Sequence, residues 1–458
     1  MTRVVVVGGG IAGLAAAHRL ASSGVPVTVV DAAREVGGKL RVSEVGGIAV
    51  DEGAEAFLRR RPEALDLVAE LGLTGQLETP ATLAASVWAR DRLRPMPPRT
   101  VMGVPSDLAA LRGVLSRTEL ARARADAWLP GAAPDPDVSV GHWVGRRLGR
   151  AVVERLVDPM LGGVYAGRAD ELSLAATLPQ LPRDERSALD AARRALAAAP
   201  PSDEPVFATL RSGLGVLPDA LRRAIERAGG EVVTGRAVRR LERTADGWRV
   251  VHGATIDERA VDADAVVLAV PASPAARLLS AVMPVAAAEL GAIETASMAI
   301  VTTAWRPSDV IAAVSGSGYL VPAVSGRPVK AVTLSSAKWA HLSGEVAIAR
   351  CSIGRFGDVT DLQRDDADLV TAAVDELTTY AGFAGSPIDA RVTRWGGALP
   401  QYAVGHRERV ARIRAAVESL PGLAVCGAAY DGVGVPACIA TAHRAVAQLA
   451  GHLERQPR

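Results

Sequence analysis

The sequence predicts an α/β protein of two or three domains, and three observations support this prediction. The chain has 458 residues, against about 100–200 for a typical domain. Near its start the β-branched run Val4–Val7 is followed at once by glycines and a helix-forming segment. This is the pattern of a buried parallel strand and its crossover. Later segments alternate apolar and polar residues, which favours a second, α+β domain with an antiparallel sheet.

The composition excludes several classes of protein. Hydrophobic residues make up 49% of the chain and charged residues 22%, a globular balance that excludes disorder and a coiled coil. The net charge of +2 is too small for a general nucleic-acid-binding protein. Most basic residues are arginine, since the only lysines are Lys39, Lys330 and Lys338.

The cysteines and apolar segments predict a cytoplasmic protein. Cys351, Cys426 and Cys438 are scattered, so neither a disulfide framework nor a metal site is expected. The N-terminal apolar run is too short for a signal peptide. No stretch reaches the 18 uninterrupted apolar residues of a membrane-spanning helix. Contact with a membrane is therefore expected to be peripheral at most.

The glycine-rich segment 8–13 carries the pattern GxGxxG between the first predicted strand and helix, and Asp31 ends the next strand. This context is typical of a dinucleotide-binding site. Gly8 permits a tight turn, Gly10 lets the backbone approach a pyrophosphate, and Gly13 lets helix and strand pack closely. The helix N-terminus then offers free N–H groups to phosphate oxygens, and Asp31 can accept hydrogen bonds from a ribose.

A second set of glycines favours FAD over NAD. Gly37 and Gly38 precede Lys39, a cation able to contact the diphosphate. Another glycine turn, at Gly53, follows the short predicted strand 48–50. Ordinary turn chemistry explains each of these glycines singly; together they indicate an elongated FAD site.

These residues resemble the flavin amine oxidase superfamily, which includes monoamine oxidases, phytoene desaturases and protoporphyrinogen oxidases. Further motifs are similar to those of porphyrinogen oxidases, and most like the coproporphyrinogen III oxidase branch typical of Gram-positive bacteria. They span the whole chain: Val157–Gly167, Gly213–Leu221, Ser336–Trp339, Arg394–His406 and Gly427–Ile439.

The resemblance implies a set of flavin-binding residues. These are Gly8, Gly9, Gly10, Ile11, Ala12, Gly13, Asp31, Ala32, Lys39, Gly53, Ala54, Glu55, Ala56, Val238, Trp395, Ala428, Val433, Gly434 and Val435. One stretch departs from the family, which has Gly-Pro-Asp-Ser where this chain has Gly53-Ala54-Glu55-Ala56. The proline's fixed φ and the serine hydroxyl are lost, so only backbone contacts are expected from Ala56.

The predicted organisation is a discontinuous, Rossmann-like FAD-binding domain, an α+β substrate domain with an antiparallel sheet, and a helical subdomain. The expected bounds are 1–60, 206–271 and 394–458 for the first, 61–105 and 272–393 for the second, and 106–205 for the third. A Pro/Gly-rich break is expected at 130–136, and a linker at Pro200-Pro201.

The elements follow from local patterns. Helices are expected over 14–23, 63–71, 189–199, 217–228 and 437–453. Strands are expected over 4–7, 25–30, 231–233, 237–239, 263–269, 299–305, 330–334 and 346–353.

The reaction that the resemblance implies removes six hydrogens from coproporphyrinogen III in haem biosynthesis, with O2 as acceptor and H2O2 as by-product. Flavin takes two electrons at a time, so three steps are needed. The pyrrole nitrogens activate the substrate themselves, and no proton-transfer residue is named. The porphyrin product would pass to a metal chelatase.

The candidate substrate residues are cations and tyrosines. Arg59 and Arg60 follow the third predicted strand of the nucleotide site and could bind propionates, although a solvated basic turn explains them equally well. Lys338, beside Trp339 on a strand predicted to face the substrate, is a comparable candidate. Tyr319 and Tyr402 could line a flat apolar slot or simply belong to the core.

Other functions stay open at this point. Protoporphyrinogen IX, with two carboxylates instead of four, is an alternative substrate. An amine oxidase or polyene desaturase is a second alternative, but Tyr430 and Trp395 give only half of the aromatic pair usual in amine oxidases. A flavin-binding protein without turnover is a third.

Overall fold

The computed structural model describes residues 3–130, 137–182, 185–198, 204–311 and 315–454. Within these ranges the helices are α1 (Ile11–Ser22), α2 (Pro62–Glu70), α3 (Arg117–Arg124), α4 (Val140–Leu148), α5 (Arg150–Val152), α6 (Asp158–Tyr165), α7 (Leu174–Thr177), α8 (Ala188–Ala198), α9 (Val216–Arg227), α10 (Ala272–Leu279), α11 (Pro284–Gly291), α12 (Ser335–Lys338), α13 (Asp366–Tyr380), α14 (His406–Glu418) and α15 (Val435–Leu453).

The strands are β1 (Val4–Val7), β2 (Val27–Val30), β3 (Val42–Val45), β4 (Ile48–Asp51), β5 (Phe57–Leu58), β6 (Leu77–Glu78), β7 (Ser86–Ala89), β8 (Arg92–Pro95), β9 (Thr100–Val101), β10 (Val104–Pro105), β11 (Phe207–Leu210), β12 (Glu231–Val233), β13 (Val238–Arg243), β14 (Trp248–His252), β15 (Arg259–Ala263), β16 (Ala265–Leu268), β17 (Thr295–Trp305), β18 (Gly318–Leu320), β19 (Val329–Thr333), β20 (Ala347–Ile353), β21 (Asp389–Pro400) and β22 (Leu423–Val425).

A five-stranded parallel sheet, in the order β12-β2-β1-β16-β22, holds the glycine motif. Side chains alternate between its faces, so Val4 and Val6 pack against α1, α9 and α15, whereas Val5 and Val7 pack against α10, α11 and α14. Both faces are therefore covered, as β-branched runs in a parallel sheet require. The predicted α/β class is confirmed.

A seven-stranded sheet, in the order β21-β17-β20-β19-β18-β7-β8, forms the second layer. It is antiparallel except for the β18–β7 pair. One face packs on α13 through a core that includes Trp305 and Tyr319. Its opposite face meets α6, where Leu320 lies beside Gly163. The predicted antiparallel sheet is thus confirmed.

The helices between 117 and 198 form a third cluster. Val144, Leu148, Leu156 and Leu161 are fully buried in its core, to which β7 and the β9–β10 hairpin also contribute. This cluster agrees with the predicted helical subdomain. The break at 131–136 and the linker residues Pro200 and Pro201 lie outside the described residues. None of the described helices is long and apolar enough to cross a bilayer.

Two features differ from the sequence-based expectation. The bound at residue 394 falls inside β21, because β21 pairs with β17 along nearly its whole length and so extends the seven-stranded sheet. Lys338 ends the short helix α12 instead of lying on a strand, because β19 stops at Thr333 and the N–H groups of 337–339 turn back onto the carbonyls of Leu334 and Ser335. The division into domains remains a proposal.

Candidate active site

The turn between β1 and α1 leaves an open cradle at the N-terminus of α1. Gly8 has φ +111°, and a Cβ there would lie 2.7 Å from the carbonyl oxygen of Ala269. A Cβ on Gly13 would lie 1.9 Å from the Gly8 carbonyl oxygen. Around Gly10, by contrast, no atom of the described residues other than its chain neighbours lies within 4 Å of the Cβ position, and Gly10 caps α1 without a side chain. The first N–H groups of α1, at Ile11 and Ala12, thus begin beside free space.

Asp31 fixes this turn from the end of β2. One of its carboxylate oxygens accepts a hydrogen bond from the Gly9 N–H, and the other accepts one from the Ala33 N–H at 2.6 Å. Each oxygen keeps a further lone pair. Since Asp31 is partly exposed and Ala32 beside it is exposed, the carboxylate remains accessible to ribose hydroxyls.

The second glycine pair lies against the first. The Gly37 N–H donates to the Gly9 carbonyl oxygen at 2.7 Å, and a Cβ on Gly38 would lie 3.3 Å from the Gly10 Cα. Lys39 follows, and its ammonium donates to the Ala398 carbonyl oxygen. Burial lowers the pKa of Lys39, while the Cys438 sulfur in the first turn of α15 opposes that shift. Lys39 therefore sits between the glycine turns and α15.

Gly53 is held where a side chain would not fit. A Cβ there would lie 2.1 Å from the Lys39 carbonyl oxygen and 3.3 Å from the Trp395 ring. The Gly53 carbonyl accepts a hydrogen bond from Arg350 at 2.7 Å. Ala54 is exposed and Ala56 half-buried, so this stretch offers mainly backbone to a ligand.

The Glu55 side chain is turned toward the seven-stranded sheet. Its carboxylate lies 2.6 Å from the Lys338 ammonium and 2.6 Å from the Arg350 guanidinium. Burial alone would raise the pKa of Glu55, but the two cations outweigh it and hold the pKa at about 2. Glu55 is thus a fixed anion, and any contribution to a cofactor site would come from its backbone.

Trp395 closes one side of the Gly53 turn. Its Nε1–H donates to the Glu52 carbonyl at 3.1 Å, and the Arg41 guanidinium lies 4.7 Å from the ring centroid. The Glu52 carboxylate is buried between Arg41 at 2.6 Å and Arg391 at 2.9 Å. This network ties β21 to the loop after β4.

The turn before α15 forms the far side of the cradle. Gly434 caps α15 with no side-chain hydrogen bond, and Gly432 has φ +141°. The Tyr402 hydroxyl donates to the Ala428 carbonyl oxygen at 2.6 Å and accepts the Gly432 N–H at 2.8 Å. Val433 is half-buried and Val435 buried. The N-termini of α15 and α1 are therefore both open, and the two helices pack together.

Val238 lies at the edge of the same site. It begins β13, just after a segment whose Gly235 and Arg236 N–H groups donate to the carbonyls of Ala33 and Asp31. Its half-buried side chain packs on the core under the sheet. This places Val238 next to the loop that carries Asp31.

The candidate substrate residues do not converge. Arg59 lies 2.9 Å from Glu204, Arg60 is exposed, and Lys338 is paired with Glu55. Tyr319 is 2% exposed and donates to Glu376 at 2.9 Å on the α13 side of the sheet. Tyr402 is 1% exposed and stacks on His406 at 4.0 Å. Both tyrosines are core residues with polar partners.

Sequence reasoning missed two positioning residues. The Asp51 carboxylate accepts the N–H groups of Leu214 at 3.0 Å and Gly215 at 3.1 Å, which anchors the turn before α9. Burial raises the pKa of Asp51 to about 6 despite these donors. The sequence does carry a signal for Asp51, because two acidic residues, Asp51 and Glu52, stand directly before Gly53. Arg350, which binds both Gly53 and Glu55, lies inside a strand pattern that gives no such signal.

The described residues fit an extended dinucleotide cofactor. Two helix N-termini without side-chain caps, a vacant position beside Gly10 and an accessible Asp31 are the groups that a diphosphate and a ribose require. The Lys39 ammonium, which follows the second glycine pair and is close enough to Cys438 for the sulfur to affect its pKa, adds positive charge.

Comparison with known proteins agrees with this geometry. A family model described as flavin containing amine oxidoreductase matches residues 11–450. Coproporphyrinogen III oxidase of Mycobacterium tuberculosis is 41% identical over 463 residues, covering 98% of both chains. The Bacillus subtilis enzyme of the same name is 32% identical, and human protoporphyrinogen oxidase 28%, each over 98% of both chains.

Solved structures show the same fold. A protein from Exiguobacterium, provisionally named protoporphyrinogen oxidase, is 29% identical and superposes with a TM-score of 0.86 over 99% of each chain. Cyclohexylamine oxidase of Brevibacterium oxydans has a TM-score of 0.69 at 18% identity, over 99% of this chain and all of its own. The second likeness concerns the fold alone.

Proposed function

We propose that this chain, which belongs to the family of flavin-containing amine oxidoreductases, is an FAD-dependent oxidase that converts coproporphyrinogen III to coproporphyrin III. The observation that carries the proposal is the end-to-end match, at 41% identity over 98% of both chains, to a coproporphyrinogen III oxidase. The cradle around Gly10 supplies the site that such an activity needs.

The cofactor site is built by backbone groups and a few side chains. In this proposal the N–H groups at the start of α1 bind the diphosphate, and Asp31 binds a ribose. The start of α15, with Val433 and Gly434, approaches the ring system, where the positive end of the helix dipole stabilises negative charge. The bound flavin supplies a two-electron acceptor that O2 can reoxidise.

The reaction needs three two-electron steps. Six hydrogens leave the macrocycle, and three O2 molecules take them up as three H2O2, so atoms and electrons balance. Because the pyrrole nitrogens push electrons toward the carbon that loses hydride, the protein's part is to orient the ring and exclude water. No side chain is assigned a proton-transfer role.

The substrate space lies along the exposed stretch of α6, at Gly163 and Val164, in this proposal. Leu320 of β18 borders it, 3.8 Å from the position of a Cβ on Gly163. The glycine and the apolar Val164 leave a surface that suits a flat macrocycle. This placement replaces the slot predicted from Tyr319 and Tyr402.

An amine substrate is less well supported. Trp395 is held against Gly53 by its hydrogen bond to Glu52, whereas Tyr430 is 3% exposed in the core beneath the parallel sheet. The two rings therefore belong to different parts of the molecule. Protoporphyrinogen IX remains the second candidate substrate, since its oxidase from humans is also a full-length relative.

The proposal extends to partners and location. A metal chelatase would take the porphyrin product, and O2 would be the electron acceptor. We propose a cytoplasmic enzyme with peripheral membrane contact at most; the three cysteines are buried free thiols, as a reducing compartment allows.

The test follows porphyrin fluorescence under air with coproporphyrinogen III and protoporphyrinogen IX in parallel, after the flavin spectrum of the purified protein is recorded. Faster growth with the tetracarboxylate supports the proposal. Faster growth with protoporphyrinogen IX assigns the enzyme to the oxidation of that substrate, which is the later step of haem biosynthesis. Growth no faster than autoxidation with either, flavin being bound, refutes both and directs the assay to amines and polyenes.

A further inference from the structure

A cleft lies along α6 and is lined by its residues Asp158, Pro159 and Gly162. Its volume is about 330 Å³, at the lower end of the range for small-molecule sites. Its walls come from α5 and α6, from residues 167–170, and from the hairpin between β18 and β19. We call it the α6 cleft and define it by Asp158, Gly162, Arg168, Lys330 and Arg355.

Lys330 is the unusual residue of the α6 cleft. It is 4% exposed, and its ammonium has no hydrogen-bond partner among the described residues. The register of the β19–β20 pair shifts between Val329 and Ala331, so Lys330 lies at a bulge. A bulge re-aims a side chain and is over-represented beside functional sites. Burial and the nearby Arg355 lower the pKa of Lys330 to about 7.

Two guanidinium groups line the same cleft as Lys330, and neither supplies it with a counter-charge. Arg355 donates to the carbonyls of Arg327 and Val321 at 3.1 Å each, and Arg168 donates to the Phe356 carbonyl at 3.1 Å. Within the described ranges, no carboxylate lies in ion-pair distance of these three cations.

The acidic residues of the α6 cleft do not balance this charge. Asp170 forms a two-bond ion pair with Arg150, at 2.6 and 2.9 Å, and Glu154 lies 3.4 Å from the same arginine. Asp158 accepts the Ala169 N–H at 2.8 Å, and burial raises its pKa although Arg355 and Arg168 oppose the shift. Asp158, Asp358 and Asp361 act on Arg355, so the group left without a counter-charge is the buried Lys330 ammonium.

A buried ammonium without a partner is costly, and an apolar residue of similar length would remove the cost. The observed arrangement is explained if an anion completes it. Carboxylates match both guanidinium and ammonium donors. The macrocycle of the proposed reaction carries carboxylates on flexible side chains. The α6 cleft adjoins the proposed substrate space along α6, because Pro159 and Gly162 line the cleft and the exposed Gly163 follows them on the same helix.

We propose that Lys330, Arg355 and Arg168 form a carboxylate-binding pocket that receives a propionate of the porphyrinogen. This rests on the proposed function and deepens it. Coproporphyrinogen has two propionates where protoporphyrinogen has vinyl groups, so a pocket that binds one of those two makes Lys330 a residue that determines specificity. The other source of the same chemistry is a free carboxylate or phosphate ion.

The test uses the flavin-loaded Lys330→Met variant, which keeps the side-chain length and removes the charge. Binding of coproporphyrin III and protoporphyrin IX is measured by fluorescence titration without turnover, and KM for both porphyrinogens separately. We expect at least a tenfold weaker affinity and higher KM for the tetracarboxylate, with less than a twofold change for the dicarboxylate. Arg407→Met, at an exposed position on α14, is the control and should change neither ligand.

Folding is checked by thermal melting. Lys330→Met should melt at the wild-type temperature or above, because it removes an unpaired buried charge. If this variant does not fold, Arg168→Met, at an exposed position, takes its place. The expected loss of affinity for coproporphyrin III is then about threefold.

Each contrary result has a definite meaning. If the variant and the wild type bind coproporphyrin with equal affinity, the proposed propionate pocket is wrong, even if the wild type oxidises coproporphyrinogen. Thermal stabilisation by inorganic phosphate or succinate that Lys330→Met abolishes, with porphyrin binding unchanged, assigns the cleft to a free ion and overturns the propionate assignment. Lys330-dependent coproporphyrin binding in an enzyme that oxidises neither porphyrinogen upholds the pocket and refutes the proposed reaction.

Discussion

The carboxylate of Glu55 lies 2.6 Å from the ammonium of Lys338, although 283 residues separate them in the chain. Arg350 adds a second contact at 2.6 Å and also binds the Gly53 carbonyl. One anion thus joins the glycine turn after β4 to α12 and β20. The turn that the cofactor is expected to approach is therefore positioned by the seven-stranded sheet.

The substitution Glu55→Gln should destabilise the fold strongly. It keeps the shape of the side chain but leaves two mostly buried cations without a counter-charge, and loss of one partner of such a network costs about 3 kcal/mol. Urea unfolding at pH 7 measures the loss. Glu242→Gln, which removes an exposed partner of Arg240, is the control and should cost far less, because solvent screens that pair. Similar small losses in both variants would contradict the role of Glu55.

The pH dependence of stability should report the same carboxylate. The folded-state pKa of Glu55 is about 2 and its ordinary value is 4.5. A depressed pKa contributes stability that is complete above the unfolded value and is lost as pH falls toward the folded value. The difference in unfolding free energy between wild type and Glu55→Gln should be constant from pH 8 to about 6 and shrink below about pH 4.5. A difference that grows with acidity would contradict the assignment.

Much of the fold could be predicted from local sequence. Val4–Val7, the glycines that follow and Asp31 form a strand, turn and strand end in the structure, because close packing and backbone conformation leave few alternatives there. The alternating segments became β17, β19 and β20. Periodicity and turn chemistry act within a few residues, so one sequence suffices to detect them.

Side-chain partners could not be predicted in the same way. Lys338, Arg59 and Tyr319 were candidates for the substrate because their chemistry suits a carboxylate or a flat ring. Each is paired instead with an acid from a distant part of the chain, Glu55, Glu204 and Glu376 respectively. Such pairings depend on how sheets and helices meet, which no local pattern records.

Two glycines of the first motif should respond differently to alanine. Gly13→Ala places a methyl group 1.9 Å from the Gly8 carbonyl oxygen, so the turn must move and the fold should lose several degrees of melting temperature. Gly10→Ala meets no atom within 4 Å. It should lower the apoprotein's melting temperature much less than Gly13→Ala does, by no more than the poorer N-cap costs, yet weaken FAD at least tenfold, because the methyl group occupies the diphosphate position.

Thermal melting of the apoproteins and FAD titration separate these effects. Gly24→Ala is not a suitable control, since Gly24 has φ +75°; Gly75→Ala, at another position with open space and no positive φ, is suitable. Tight FAD binding by Gly10→Ala would show that the open position is not part of the cofactor site.

Tyr319→Phe should affect stability and not substrate affinity. The hydroxyl donates to Glu376, which also lies 3.2 Å from Arg327, and burial raises the pKa of Glu376. Loss of this charged hydrogen bond should cost about 1.5–3 kcal/mol. Chemical unfolding and KM for coproporphyrinogen are the two measurements. An unchanged stability with a several-fold higher KM would return Tyr319 to the substrate slot that the sequence suggested.

Tyr402→Phe should loosen the cofactor through the turn before α15. The hydroxyl joins the Ala428 carbonyl to the Gly432 N–H, and the ring remains stacked on His406 when the hydroxyl is removed. Two backbone groups then lose their partner, at a cost of about 1–3 kcal/mol.

Because that turn sets the start of α15, FAD should dissociate more readily from Tyr402→Phe, by about tenfold. Titration of the apoprotein with FAD measures this, and melting temperature reports the structural cost. Tyr165→Phe is the matched control: its ring centroid lies 5.4 Å from that of Tyr402, and its hydroxyl makes no hydrogen bond with the described residues. If both variants bound FAD as tightly as wild type, the Tyr402 bridge would serve packing alone, and the position of α15 would have to be set by the contact of α15 with α1.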